Sequence, residues 1–284
     1  MNRNIDGKQF IGQLAAEKVV DHWVANSNFP HFLLIIGEEG SGKKTLSYLI
    51  AQSLNCSVYT LPDCAVDTVR QFIASSYEVD SPIVYLIPDA DGMSIAAKNS
   101  LLKLTEEPPE NAYIIMTLKS ADNTLPTIIS RGQQIVMSAY TDAELQQLSQ
   151  SDNQLLAAIA NTPGMLHTLE QLGVDKVNSL IEYCDKLVMF IDRVPVFNAL
   201  KSIQNVKLKD TDKGFELTIV VAALRYIIHS GISDANVDAY KLVRYKAWLM
   251  SLSYYKPLFD RPGLNKKALW DEMILKVRSI VQEV

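Results

Sequence analysis

Apolar residues follow two different rhythms along this chain. Through the first half, short unbroken runs (Phe32 to Ile36, Ile83 to Ile87 and Tyr113 to Thr117) alternate with stretches of helical spacing. Runs of this length, the first ending at Gly37 and the second bracketed by Pro82 and Pro88, predict strands buried on both faces. Between them the spacing predicts a helix over about 43–54. A second is predicted from Ser94, as N-cap, to Glu107, with Met93, Ala97, Leu101 and Leu104 on one face and Pro108-Pro109 ending it. Strand, helix and strand in this order predict a doubly wound parallel sheet with its ligand crevice at the carboxyl ends of the strands. Beyond residue 139 the pattern is helical throughout. Short helices are expected at 142–150, 154–161 and, after a break at Pro163-Gly164, 165–172. Longer ones follow at 175–204, 215–230, 235–256 and 266–283, with a polar interruption at 207–214. The chain therefore divides into an α/β core (1–138), a small helical subdomain (139–174) and a helical domain (175–284).

Composition narrows the function classes. Of 284 residues, 48% are apolar and 21% charged, the balance of an ordinary globular chain with enough apolar material for a full core. A net charge of -5 gives no footprint of a stand-alone nucleic-acid binder, so any DNA contact is expected to be shared with partners. Lys241, Arg244 and Lys246 are too few for a DNA track and predict a solvated helix face. The apolar runs fall short of a bilayer span and the amino terminus lacks a leader-like apolar stretch, so a cytoplasmic protein without a membrane partner is expected. Cys56, Cys64 and Cys184 show no paired spacing, and the four histidines no ligand spacing. Neither a disulfide framework nor zinc nor another metal cluster is expected.

The chemistry is concentrated after the first strand. Gly37-Glu38-Glu39-Gly40-Ser41-Gly42-Lys43-Lys44-Thr45 joins a strand to a helix, the context a phosphate-binding loop requires. Glycines at 37, 40 and 42 allow backbone amides to surround phosphate oxygens, the helix start adds positive potential, and Lys43 adds a point charge. The full pattern has Ser or Thr directly after the lysine, because that hydroxyl ligates magnesium; here Lys44 stands there and Thr45 is rotated by about 100° around the helix. A hydrolytic site also needs an Asp at the end of a neighbouring strand and then an acidic base. The second strand ends Ile87-Pro88-Asp89-Ala90-Asp91. In one register Pro88 takes the metal position and Asp89 the base position; in the other Asp89 recovers the metal position and Ala90 the base. Either breaks the acidic pair. The plain alternative makes Asp89 and Asp91 solvated loop carboxylates capping the next helix. ATP or ADP is thus a candidate ligand, with Mg2+ disfavoured.

Further segments carry a family resemblance. Ile87-Pro88-Asp89-Ala90-Asp91-Gly92-Met93, then Ala96-Ala97-Lys98-Asn99-Ser100-Leu101-Leu102-Lys103, then Glu106-Glu107-Pro108-Pro109-Glu110-Asn111-Ala112, resemble the clamp-loader core of the AAA+ superfamily. Leu125-Pro126-Thr127-Ile128-Ile129-Ser130-Arg131-Gly132 is similar to that family's Ser-Arg-Cys segment, with Gly132 in place of the cysteine. The resemblance covers about residues 10–138; beyond it, Leu258 to Asn265 is similar to the end of delta-prime subunits. It implies an AAA+ P-loop core with a parallel sheet, a helical lid and an all-helical collar. It also implies that Arg131 is an arginine finger acting in trans on a neighbour's ATP. The segment Asn161 to Leu166 resembles the family's second sensor but has no arginine, and no four-cysteine zinc module is present. The pattern of losses matches delta-prime subunits of DNA polymerase III clamp loaders. The implied function is a largely non-hydrolysing subunit of a hetero-oligomeric ring containing motor ATPase and delta-like subunits. That ring meets the sliding clamp and primer-template DNA, and the family activity is DNA-directed DNA polymerase at the level of the holoenzyme. An active motor ATPase and a AAA+ scaffold unrelated to replication are the alternatives.

Overall fold

A computed structural model describes residues 4–5, 8–78, 80–151, 153–193, 213–261 and 263–283. The described chain divides into two compact units, Met1–Glu144 and Leu145–Val284.

In the first unit a short antiparallel pair, β1 (Asn4–Ile5) and β2 (Lys8–Gln9), precedes α1 (Leu14–Ala25). A five-stranded parallel sheet follows, built from β3 (Phe32–Ile36), β4 (Ser57–Thr60), β5 (Ile83–Ile87), β6 (Ala112–Leu118) and β7 (Gln133–Val136) in the spatial order β4-β5-β6-β3-β7. The helices are α2 (Lys43–Ser53), α3 (Val66–Ser76), α4 (Ile95–Ser100), α5 (Leu102–Glu106) and α6 (Pro126–Ile129). Alternate residues of the central strands point to opposite faces. Leu34, Ile36, Tyr85, Ile87, Ile114 and Met116 meet Val69, Phe72, Ala97 and Leu104 on one side. Leu33, Ile35, Val84, Leu86 and Ile115 meet Val20, Leu46, Leu49 and Ile50 on the other. Helices therefore cover both faces, which is why β3, β5 and β6 read as continuous apolar runs. Burying each such Leu or Ile is worth about 1.5–3 kcal/mol, so the sheet is a rigid base for whatever follows β3. Because β3 has later strands on both sides, β6 and β7, its carboxyl end is a switch point of the sheet.

Two predicted elements differ in detail. The helix expected over 94–107 is broken at Leu101 into α4 and α5, with Ser94 Oγ accepting from Ala97 N–H as the N-cap. Pro163-Gly164 does not break a helix but opens one, because proline at the first position has no amide to leave unpaired.

The chain leaves the first unit within α7 (Asp142–Leu148). The second unit holds α8 (Gln154–Ile159), α9 (Pro163–Leu172), α10 (Val174–Met189), α11 (Lys213–Ser233), α12 (Ala239–Phe259) and α13 (Lys266–Gln282). The end of the helix predicted over 175–204 and most of the polar interruption at 207–214 lie outside the described residues. Residues 219–224 of α11 are all buried, so this is an interior helix packed by α10 and α12. Arg244 corrects the expectation of a solvated face: it is 2% exposed, lies over the Tyr240 ring and sits 3.2 Å from Asp192. Of the segment Leu258 to Asn265, Leu258 and Phe259 close α12 and the rest leads to α13, where Asn265 Oδ1 accepts from the Lys267 and Ala268 amides; Pro262 lies outside the described residues. Among the described residues no helix is long and apolar enough to cross a membrane.

Candidate phosphate-binding site

The loop from Gly37 to Gly42 leaves the carboxyl end of β3 and enters α2. Each glycine has its own reason. A Cβ on Gly37 would lie 2.6 Å from the Met137 Cβ, while Gly40 (φ 76°) and Gly42 (φ 90°) occupy the left-handed region. Lys43, 5% exposed, folds back under the loop and its Nζ donates to the carbonyls of Gly37 (2.8 Å) and Glu38 (2.7 Å). Burial pushes the Lys43 pKa below the usual lysine range, with Asp89 and Asp91 pulling the other way. Ser41 Oγ is buried in the loop and has no hydrogen-bond partner among the described residues.

The loop is held from behind by residues that periodicity does not single out. Tyr140 Oη donates to the Ser41 carbonyl at 2.9 Å, and the Phe10 ring lies 3.1 Å from where a Gly42 Cβ would be. The two segments that carry these rings are joined through Gln13. Its side chain donates to Ser138 O (2.9 Å) and accepts from Ser138 N–H (2.8 Å). Gly12, at φ 89°, leaves the space the Tyr140 ring needs. A glycine-then-glutamine pair ahead of α1 was the only local signal for this brace.

On the metal side, Thr45 is exposed and Lys44 turns to Asp89, Nζ to Oδ2 3.0 Å, both side chains about half exposed. Asp89 stands after Pro88 in the left-handed region (φ 49°, ψ 44°), which Asp tolerates better than most residues, and its N–H donates to Thr117 Oγ1 at 2.9 Å. The Lys44–Asp89 contact fits the register that gives Asp89 the metal position, in which Ala90, fully buried, takes the place of the base; the register that puts Pro88 at the metal position breaks the acidic pair as well. Asp91 is not a solvated carboxylate. It is 8% exposed and accepts from the Lys119 N–H (2.8 Å), the Ser120 N–H (3.4 Å) and Asn123 Nδ2 (3.0 Å), so it ties the end of β5 to the turn after β6. Among the described residues no group of three or more His, Cys, Asp or Glu is arranged to hold a metal ion.

Arg131 lies at the other end of the sheet. Gln133 of β7 is level with Leu33 of β3, so Arg131 stands before the start of the strands and Gly37 after their end. Six residues of strand at about 3.3 Å each put about 20 Å between them, beyond the reach of one arginine. Its guanidinium donates to the Thr127 carbonyl (2.6 Å) and pairs with Glu106 at the surface. Gly132 is explained by packing: a Cβ there would meet Leu34 Cγ at 2.7 Å and Leu34 Cδ1 at 3.0 Å. Gly132→Cys, which restores the residue of the resembling segment, is expected to destabilise by about 1–3 kcal/mol through overpacking. An unchanged melting temperature by circular dichroism would contradict that account. In the second unit, Thr162 of the sensor-like segment is the N-cap of α9, accepting from the Met165 N–H at 3.3 Å.

With this geometry in place, comparison with known proteins is informative. Residues 63–141 match the family model described as DNA polymerase III, delta subunit. DNA polymerase III subunit tau of Bacillus subtilis is 23% identical over 92% of this chain and 52% of its own length. DNA polymerase III subunit gamma of Buchnera aphidicola (subspecies Schizaphis graminum) is 29% identical over 44% of this chain and 42% of its own. The chain thus spans about half or less of the curated relatives it matches. A mutant of Thermotoga maritima RuvB shares the fold with TM-score 0.52 at 14% identity, over 88% of this chain and 95% of that one.

Proposed function

Because the chain belongs to the AAA+ clamp-loader family, we propose that it works as a delta-prime-like subunit of a DNA polymerase III clamp loader. It holds position in a hetero-oligomeric ring and hydrolyses ATP negligibly by itself. Its ring neighbours are motor ATPase and delta-like subunits, and through them it serves the sliding clamp and primer-template DNA. Residues 1–138 form the P-loop core, 139–174 the lid and 175–284 the collar.

The observation that carries this reading is the Lys44–Asp89 pair. A hydrolytic site uses these two positions for oxygens around magnesium, with an acidic residue after the second to activate water. Here one is an ammonium, the carboxylate is bound to it, and Ala90 follows. The Gly37, Gly40, Ser41, Gly42, Lys43 cradle can hold phosphate, but nothing in this set generates the nucleophile. Arg131, too far from its own loop, is directed to a neighbour's ATP, where a guanidinium offsets charge on the transferred phosphoryl group.

Purified chain with Mg-ATP and primed DNA is expected to release phosphate below about 0.01 per second. A rate near 1 per second, within the range of competent enzymes, would instead establish the motor-ATPase reading. Failure to assemble with clamp-loader motor subunits would favour a scaffold outside replication.

A further inference from the structure

Magnesium does not fit this site. The ion requires close to six oxygen ligands at about 2.0–2.1 Å in near-octahedral geometry. The side chain in the hydroxyl's place is Lys44, which offers no oxygen and repels a dication. The Asp89 carboxylate already lies 3.0 Å from its Nζ, and Thr45 is exposed one position further around α2. Yet the groups that contact phosphate directly remain assembled: the left-handed Gly40 and Gly42, the start of an eleven-residue helix, buried Lys43, and a buried Ser41 hydroxyl with no partner among the described residues.

We propose that this chain binds nucleotide phosphates without a divalent ion, Lys44 supplying from within the chain the positive charge that magnesium supplies elsewhere. The inference rests on the reading of the loop as a nucleotide site. An ammonium has three donors. One is directed at Asp89, which leaves two for phosphate oxygens, and the pair keeps the Asp89 carboxylate from facing the phosphates bare. Lys43 then exchanges its bonds to the Gly37 and Glu38 carbonyls for bonds to the ligand. Bound this way, the nucleotide has no metal-held water beside it, which accounts for occupancy without turnover.

The test is calorimetric titration of the full chain with ADP, in Mg2+ and in EDTA. The affinities are expected to agree within about threefold, and tightening by Mg2+ of about tenfold or more would overturn the proposal. Absence of binding in both buffers overturns it as well. Lys44→Thr, which restores the hydroxyl beside Asp89, is expected to weaken binding in EDTA about tenfold and to make it respond to Mg2+. Lys44→Gln should weaken it to the same extent with no response to Mg2+. If both variants, folded by circular dichroism, bind in EDTA as the parent does, Lys44 is not the counter-charge. These results are separable from the fate of the functional reading. ATP turnover by the chain refutes the non-hydrolysing role, whereas Mg-sensitive binding without turnover refutes only the metal-free grip.

Discussion

Arg131→Ala is expected to lower DNA-stimulated phosphate release about a thousandfold at the neighbouring motor subunit of a reconstituted complex, with that complex's other ATP sites silenced. Assembly, followed by size-exclusion chromatography, should be unchanged, because the guanidinium lies at the surface and its partners are the Thr127 carbonyl and Glu106. Opening an exposed ion pair of this kind costs about 1 kcal/mol or less, so Glu106 parks the side chain without withholding it from a neighbour. Arg131→Lys should recover only a small part of the rate, since a point charge cannot reproduce the planar fork. Glu106→Gln, which frees the guanidinium without removing it, should change the rate by less than about threefold. Equal rates for wild type and Arg131→Ala would remove the finger role. They would leave the Lys44–Asp89 argument untouched, because the two features lie at opposite ends of the strands.

How far these features can be read from sequence depends on how local their causes are. Strands β3, β5 and β6 were legible because burial on both faces leaves continuous apolar runs. The edge strands were not. β4 alternates exposed and half-buried residues, and only Ile135 of β7 is buried, so each looks like loop until its neighbour is known. The glycines of the phosphate loop announced themselves through backbone torsions that other residues resist. The Lys44–Asp89 contact did not, since it joins positions far apart in sequence and needs the left-handed turn at Asp89. Arg244 was misread for a related reason. Helical spacing counts charged residues as outward-facing, but Asp192 and the Tyr240 ring give this one a buried seat. The brace of Phe10, Gln13 and Tyr140 behind the loop depends on tertiary pairing across the whole first unit, for which no periodic signal exists.

Two carboxylates two residues apart make the sharpest contrast in the molecule, and substituting each should separate structure from ligand chemistry. Asp91→Ala strips the acceptor from the Lys119 and Ser120 amides and from Asn123 Nδ2. It also leaves buried Lys98, bound to the Asp91 and Asn123 carbonyls, without a nearby negative charge. Each buried donor left unpaired costs about 1–3 kcal/mol, so a loss of about 3–4 kcal/mol is expected. At about 2–4 °C per kcal/mol, melting should fall by roughly 10 °C. Asp91→Asn, with one acceptor oxygen kept and an amide turned toward other donors, should fall between Ala and the parent. Asp89→Asn removes the charge of a half-exposed carboxylate that pairs with the half-exposed Lys44 ammonium and keeps a side chain the left-handed turn accepts, so stability should move by no more than about 0.5 kcal/mol. Its effect should appear in nucleotide affinity instead. With no carboxylate beside the phosphates and Lys44 released to them, binding of ADP in EDTA should strengthen. Thermal melts that show Asp89 as the structural residue and Asp91 as the dispensable one would mean that the β5 to β6 tie has been assigned to the wrong side chain.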